Sequence, residues 1–354
     1  MKINKHCFPN GLRLVHYEDT STQMVALNIV YDVGARDEHP EHTGFAHLFE
    51  HLMFGGSAHI PDYDTPLQLA GGENNAWTNN DITNYYLTVP KPNVETAFWL
   101  ESDRMLELAF SEQSLEVQRG VVMEEFKQRC LNQPYGDVGH LFRPLAFRVH
   151  PYCWPTIGKE LSHIEQATLD EVKSFFYRFY APNNAVLAVT GNISWDETVK
   201  LTEKWFAPIP RRDVPVRQLP QEPEQTQERR LTVERNVPLD ALFMGYHMCS
   251  REGADYYAFD ILSDILSNGR SSRLNRRLVQ EQNIFSGIDA YISGTRDAGL
   301  LQISGKPAAG VSLEQAEAAV RKELEELQRS PVDGQELEKV KNKFESTQIF
   351  GNIN

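Results

Sequence analysis

Two histidines flank a glutamate in the stretch His47-Leu48-Phe49-Glu50-His51. His47 and His51 are four positions apart, so on a helix they lie on one face, about one turn from each other. Two imidazoles at this spacing can bind one Zn²⁺ at tetrahedral angles. Glu50 borders the same face, where it can contact a water on the metal without binding the metal itself. This His-x-x-Glu-His pattern is the inverted form of His-Glu-x-x-His and is typical of catalytic zinc sites.

Such a site needs a third protein ligand and a fourth position open to water. The best candidate is Glu125, and its neighbour Glu124 is the alternative. Adjacent helix residues point about 100° apart, so only one of the two can face the metal. Val121 and Val122 indicate a buried helix, in which a lone carboxylate is costly unless it is paired or bound to a metal.

The same five residues also fit a helix whose two histidines are solvated or buried in the core. The rest of the sequence must distinguish this interpretation from a zinc site. Six other histidines fall in no ligand spacing with the motif, and we expect them to be surface or core residues. They are His42, His59, His140, His150, His163 and His247. The four cysteines are scattered without a Cys-x-x-Cys pair, which favours ordinary thiols over a disulfide framework.

The composition narrows the class of protein. A chain of 354 residues is long enough for two domains, and its formal net charge of −14 argues against nucleic acid and against an anionic membrane as partners. Neither a signal-peptide-like run nor a membrane-spanning apolar stretch stands out. We therefore expect a cytoplasmic protein.

Apolar periodicity indicates the elements that must position the motif. We expect adjacent strands at 12–17 and 24–33, a helix over 42–54, one strand from about Asn75 to Pro90, and helices at 94–110 and from about Ser114. A capping box at Thr168-Leu169-Asp170-Glu171 predicts another helix, followed by a strand at 185–189.

Residues 208–228 hold five prolines and many charges, which is typical of a linker. Beyond it the order of elements resembles the first half: strands near 231–234 and 241–246, a helix from about Tyr256, a strand near 300–304, and a helix capped by Ser312. We interpret this as a diverged duplication, with a first domain at 1–207 and a second at 229–354. Nothing in the second copy corresponds to residues 168–189, so we expect it to be C-terminally incomplete.

The sequence also resembles the pitrilysin/insulinase family of zinc metallopeptidases, which includes insulin-degrading enzyme and the mitochondrial processing peptidases. The resemblance rests on segments in a fixed order: 44–57 around the histidine motif, 71–78, then Asp81, Thr83, Tyr85 and Tyr86, followed by 119–125, 155–158, 182–191 and, more weakly, 269–274.

This resemblance implies an α+β fold of two homologous α/β roll domains, each with a mixed, largely antiparallel sheet and helices packed on one face. It implies one Zn²⁺ per chain, bound by His47, His51 and Glu125, with Glu50 as the general base of a metalloendopeptidase. It also implies that a substrate-binding edge strand lies at Asn75, Ala76, Trp77 and Thr78. Where the family often has a second glutamate on the ligand helix, this chain has Gln118.

One departure concerns the second half. Many relatives have an Arg and, seven residues on, a Tyr there, which help to position substrate and stabilise the oxyanion. Those positions fall at Val279 and Ser286, with Arg277 and Phe285 as the nearest substitutes. We expect a homo- or heterodimer in which a similar chain supplies the pair, as in bacterial relatives that join a zinc subunit to a metal-less one. The alternative function is a non-catalytic structural or assembly subunit.

Overall fold

The computed structural model describes residues 2–351, and its contacts divide the chain into two compact units, Met1–Leu231 and Thr232–Asn354. Each unit has its own apolar core. No helix in residues 2–351 is long and apolar enough to cross a membrane.

The first unit contains six strands and eight α-helices among its described residues. The strands are β1 (Asn4–Cys7), β2 (Arg13–Glu18), β3 (Met24–Tyr31), β4 (Glu73–Thr78), β5 (Thr83–Pro90) and β6 (Ala185–Gly191). The helices are α1 (Phe45–Leu52), α2 (Asp64–Leu69), α3 (Val94–Leu106), α4 (Glu112–Phe126), α5 (Val138–Ala146), α6 (Leu161–Glu165), α7 (Leu169–Phe179) and α8 (Trp195–Trp205).

The six strands form one sheet in the order β1-β2-β6-β3-β5-β4. Only the β2–β6 pair is parallel, so the sheet is mixed and largely antiparallel, which confirms the predicted fold class. Alternate residues of β3, from Val25 to Tyr31, are buried in the core, whereas the intervening residues are half-buried. This period of two is what a strand with one covered face requires. At the far end, β4 is an edge strand.

Two expectations about this sheet were wrong. β2 and β3 are not neighbours, because β6 lies between them. The single strand expected from Asn75 to Pro90 is a hairpin, in which Asn79 turns the chain by accepting the backbone N–H groups of Asp81 and Ile82 at 2.7 and 2.9 Å. Asparagine often makes such turns through its side chain, so Asn79-Asn80-Asp81 is the sequence feature that indicates a turn here.

The second unit contains β7 (Leu242–Met248), β8 (Phe285–Ile292) and β9 (Gly299–Pro307), with α9 (Tyr256–Ser267), α10 (Leu313–Arg329) and α11 (Gly334–Gly351). Its sheet has the order β7-β9-β8. The first unit repeats that order as β3-β5-β4, which is what a duplication produces. The expected Ser312 capping box is present at the start of α10.

The strand expected near residues 231–234 does not form. Its counterpart by position in the first unit, β2, pairs with β6 and not with β3. Residues 232–351 contain no strand that corresponds to β6, so the segment has no partner for a ladder. An extended segment without a partner leaves its backbone groups to water.

Segment 208–228 has no helix or strand, as expected of a linker, but its side chains bind it to the first unit. Arg217 contacts Asp37 at 2.5 Å. Glu222 accepts the backbone N–H groups of Arg148, Val149 and His150 at 2.7, 2.9 and 3.0 Å. The compact unit accordingly extends through Leu231.

Candidate metal centre

The His-x-x-Glu-His motif lies on α1, a helix of eight residues. Phe45, Leu48 and Phe49 are buried in the core of the first unit, and the Phe49 ring stacks on Phe175 with centroids 5.1 Å apart. The apolar residues thus fix the rotation of the helix about its axis.

The third candidate ligand lies on α4, which packs against α1. Val122 and Phe126 are buried and set the phase of this helix. Glu125 consequently lies on the side of α1, whereas Glu124 is exposed and accepts from Gln128 Nε2 at 3.2 Å. The expectation that Val121 is buried was wrong, because its side chain is 46% exposed.

The three predicted ligand groups converge. Glu125 Oε2 lies 3.5 Å from His47 Nε2 and 3.3 Å from His51 Nε2. One ligand atom from each residue falls within 4.8 Å of the others. Ligand atoms about 2.0–2.2 Å from one zinc ion at tetrahedral angles stand roughly 3.3–3.6 Å apart. The donor set and its spacing therefore fit a zinc ion.

The protonation states also suit metal binding. Burial lowers the pKa of His47 to about 4, so its imidazole is neutral at pH 7 and its contact with Glu125 is not an ion pair. A hydrogen bond with His51 lowers the pKa of Glu125, which keeps that carboxylate ionised. Metal ions bind the neutral imidazole and the ionised carboxylate.

Glu50 is half-buried on the same helix. Burial raises the pKa of its carboxyl above the ordinary 4.5. The nearby Thr78 hydroxyl lowers this pKa, but by less than burial raises it. That hydroxyl makes no hydrogen bond of good geometry. A carboxylate with a raised pKa is a better proton acceptor at neutral pH.

Sequence reasoning missed Arg129, whose guanidinium lies 2.9 Å from Glu125 Oε1. Arg129 thus occupies one carboxylate oxygen while the other faces the histidines. Its separation of four positions from Glu125 was an available signal. In the described structure His47 Nδ1 is buried without a hydrogen-bond partner, although histidine ligands commonly donate from the second ring nitrogen.

Gln118 is half-buried on α4, and its amide nitrogen lies near Gly55. Among residues 2–351, no described hydrogen bond joins Gln118 to His47, His51 or Glu125. Its role as an outer partner of the ligands stays a prediction.

The four residues expected to bind substrate form most of the edge strand β4. Asn75 and Trp77 point to the exposed side, whereas Ala76 and Thr78 are half-buried. Trp77 is 42% exposed and so is not a core residue. The backbone N–H of Ala76 donates to Asn75 Oδ1 at 2.8 Å.

In the second unit, no unpaired arginine and no tyrosine lies at the positions expected for the Arg and Tyr or at their nearest substitutes. Val279 packs on the local core, and the Ser286 hydroxyl donates to Lys306 O. Arg277 is paired with Glu323 and Glu326, and Phe285 is fully buried.

Two histidines and a glutamate converge beside the edge strand β4, as predicted for a metallopeptidase site, and the comparisons agree with that class. The family described as "Insulinase (Peptidase family M16)" matches residues 13–135, and "Peptidase M16 inactive domain" matches residues 166–344. This chain therefore belongs to the M16 peptidase family.

Individual relatives resemble most of the chain. A Helicobacter pylori protein named "Zinc protease PqqE" is 29% identical over 338 residues, covering 94% of this chain and 76% of the relative. A solved protease structure from Helicobacter pylori has a TM-score of 0.91 at 28% identity, covering 98% of this chain and 85% of the other. The Escherichia coli periplasmic protease PqqL shares the fold with a TM-score of 0.76 at 20% identity, and this chain covers 39% of it.

Proposed function

We propose that this chain is a zinc-dependent endopeptidase that hydrolyses peptides or small unfolded polypeptides. The observation that carries the proposal is the convergence of His47, His51 and Glu125, which each offer one ligand atom within 4.8 Å of the others. These three residues would hold one Zn²⁺. The name of the Helicobacter pylori relative agrees with this choice of metal.

The reaction assigned to the site is peptide hydrolysis. Zinc, when bound, supplies a Lewis acid that acidifies the attacking water and polarises the scissile carbonyl. Glu50 accepts the proton of that water and then donates it to the leaving amine. Its raised pKa suits both transfers, because a group that must gain and release a proton works best when its pKa approaches the working pH.

The edge strand β4 supplies the place for the substrate backbone. In the free chain the Ala76 N–H donates to the side chain of its neighbour, at Asn75 Oδ1. A substrate carbonyl can replace Asn75 Oδ1 there, so that an extended peptide adds a strand antiparallel or parallel to β4. Main-chain pairing of this kind favours loose sequence selectivity, with exposed Trp77 available for a side-chain contact.

A partner chain completes the site in this proposal. The positions of Val279 and Ser286 carry neither a cation nor a phenol, and Arg277 is committed to two glutamates. A similar chain that brings an Arg and a Tyr would supply the missing oxyanion contacts. Full turnover by the purified chain as a monomer would contradict the partner.

The first experiment measures metal content and hydrolysis together. The purified chain should hold about one zinc ion per molecule, lose cleavage of an internally quenched peptide on chelation, and regain it with added zinc. If activity requires a second chain, the assay is repeated with that chain present. A chain that binds no zinc would instead favour the structural or assembly subunit.

A further inference from the structure

The first turn of the metal helix α1 lacks a cap of its own. Its N-cap residue is Gly44, which has a φ of +89° and no side chain. A Cβ atom there would lie 2.8 Å from Ile164 Cδ1 and 2.9 Å from Ile157 O. Ser, Thr, Asp or Asn, the usual N-cap residues, are therefore excluded at this position.

The carboxyl group of Glu38 takes the place of that cap from outside the helix. Its Oε2 accepts the backbone N–H of Gly44 at 2.9 Å, and its Oε1 accepts that of Ala46 at 2.8 Å. The side chain is buried, and burial raises the pKa of its carboxyl to about 8 even though the two N–H donors lower it. An isolated helix of eight residues is marginal in water, so α1 depends on such contacts.

The segment that precedes Glu38 is hydrogen-bonded to the turn at the end of the edge strand β4. It follows a short 3₁₀ helix, Ala35–Asp37. In that helix the backbone N–H groups of Ala35 and Arg36 donate to Asn79 O and Asn80 O at 3.1 and 2.9 Å. Asn79 and Asn80 form the turn that directly follows β4. One short segment thus joins the end of the edge strand to the first turn of the metal helix.

We infer that Glu38 is a positioning residue, which fixes α1 relative to β4 so that His47 and His51 are held in place for the metal. This inference rests on the proposed zinc site but not on turnover. Glu38 contacts neither the metal ligands nor the substrate strand's free edge. Its effect passes through the backbone of α1.

The test compares zinc affinity in three variants of the full chain. Glu38→Ala removes both acceptor oxygens, and Glu38→Gln keeps one of them. Ser194→Ala is the matched control, because Ser194 caps α8 by accepting the Glu197 N–H at 3.3 Å, and α8 packs on α3 and β2. Zinc affinity is measured by chelator competition, the ligand geometry by the visible spectrum of bound Co²⁺, and stability by urea unfolding.

Glu38→Ala should weaken zinc binding roughly 10- to 100-fold and alter the Co²⁺ spectrum, since changes behind metal ligands have effects of that size. Glu38→Gln should fall between it and the unchanged chain. Ser194→Ala should lower the unfolding midpoint but leave zinc affinity within about twofold. In the zinc-free chain, Glu38→Ala should also speed hydrogen exchange at the amides of Gly44 and Ala46.

The inference is overturned if Glu38→Ala and Glu38→Gln both bind zinc as tightly as the unchanged chain, or if Ser194→Ala weakens binding equally. If Glu38→Ala does not fold, the Glu38→Gln affinity decides. A chain that binds zinc tightly but cleaves no peptide even with its partner chain present would contradict the proposed function, while the affinities of the variants would still support or overturn the role of Glu38.

Discussion

A buried ion pair behind the metal helix gives a sharp prediction about stability. In α3, Arg104 and Glu101 are 1% and 2% exposed and lie 2.6 Å apart. The Tyr63 hydroxyl donates to Glu101 at 2.5 Å. The Arg104 guanidinium lies 4.5–5.1 Å from the ring centroids of Tyr85, Tyr63 and Phe54. Tyr85 in turn donates to the backbone of α1, at Phe49 O.

Removing one partner leaves the other charge buried and unpaired, which costs about 3–5 kcal/mol. We therefore expect Glu101→Leu and Arg104→Met each to remove a fifth or more of a typical stability of about 5–15 kcal/mol. The double change Glu101→Leu with Arg104→Met removes both charges, leaving mainly the Tyr63 hydroxyl without an acceptor at about 1–3 kcal/mol. The double change should thus cost at least about 3 kcal/mol less than the sum of the single changes.

Urea unfolding followed by tryptophan emission measures this effect in the right unit. All five tryptophans lie in the first unit: Trp77, Trp99, Trp154, Trp195 and Trp205. A chelator in excess keeps metal binding from contributing to stability. The reasoning would be refuted if each single variant had a free energy of unfolding within about 1 kcal/mol of the unchanged chain, or if the double variant lost as much as the two singles together. A buried unpaired charge should destabilise the fold by more than that.

Three further predictions follow from the site and its surroundings. Glu125→Gln should abolish tight zinc binding, while Glu124→Gln, on the exposed side of α4, should leave it unchanged; equal effects on a zinc titration would contradict the assignment. Glu222→Gln should speed hydrogen exchange of the amides at 148–150 by about tenfold, since one bond to a charged acceptor contributes about 1.5 kcal/mol or more. Burial raises the pKa of Glu222, but its three N–H donors together outweigh burial, so the net pKa lies below 4.5. The protection should therefore hold above pH 4.5 and fade as the pH falls, and a protection factor that does not change with acid would refute this. Trp77→Ala should raise KM several-fold without changing the unfolding midpoint, because the ring is on the surface; an unchanged KM would remove Trp77 from the substrate site.

Local spacing was enough to predict that the two histidines lie together. His47 and His51 lie on one helix face because four positions make about one turn, and this holds wherever the helix packs. The choice between Glu125 and Glu124 needed the phase of α4. Adjacent Val121 and Val122 left that phase undecided in the sequence. The burial of Val122 and Phe126 shows that Glu125, and not Glu124, faces α1.

Contacts between distant segments were beyond the sequence patterns. Glu38 caps α1 from a separate 3₁₀ helix, and no spacing rule links it to Ala46. Strands that follow each other in the chain were expected to pair, which would place β3 beside β2. The later strand β6 lies between them instead, and nothing in the sequence pattern indicates this. The strand expected near 231–234 failed for the related reason that strand propensity forms no ladder without a partner.

The central claim is that Glu50 transfers protons beside a zinc ion held by three other residues. Glu50→Gln tests it most directly, because the amide keeps the shape of the side chain but accepts no proton. The variant, assayed with any partner chain that activity requires, should retain one zinc ion per chain and lose about 10²- to 10⁴-fold in kcat. A zinc-loaded Glu50→Gln chain that cleaves the quenched peptide at the unchanged rate would contradict the account.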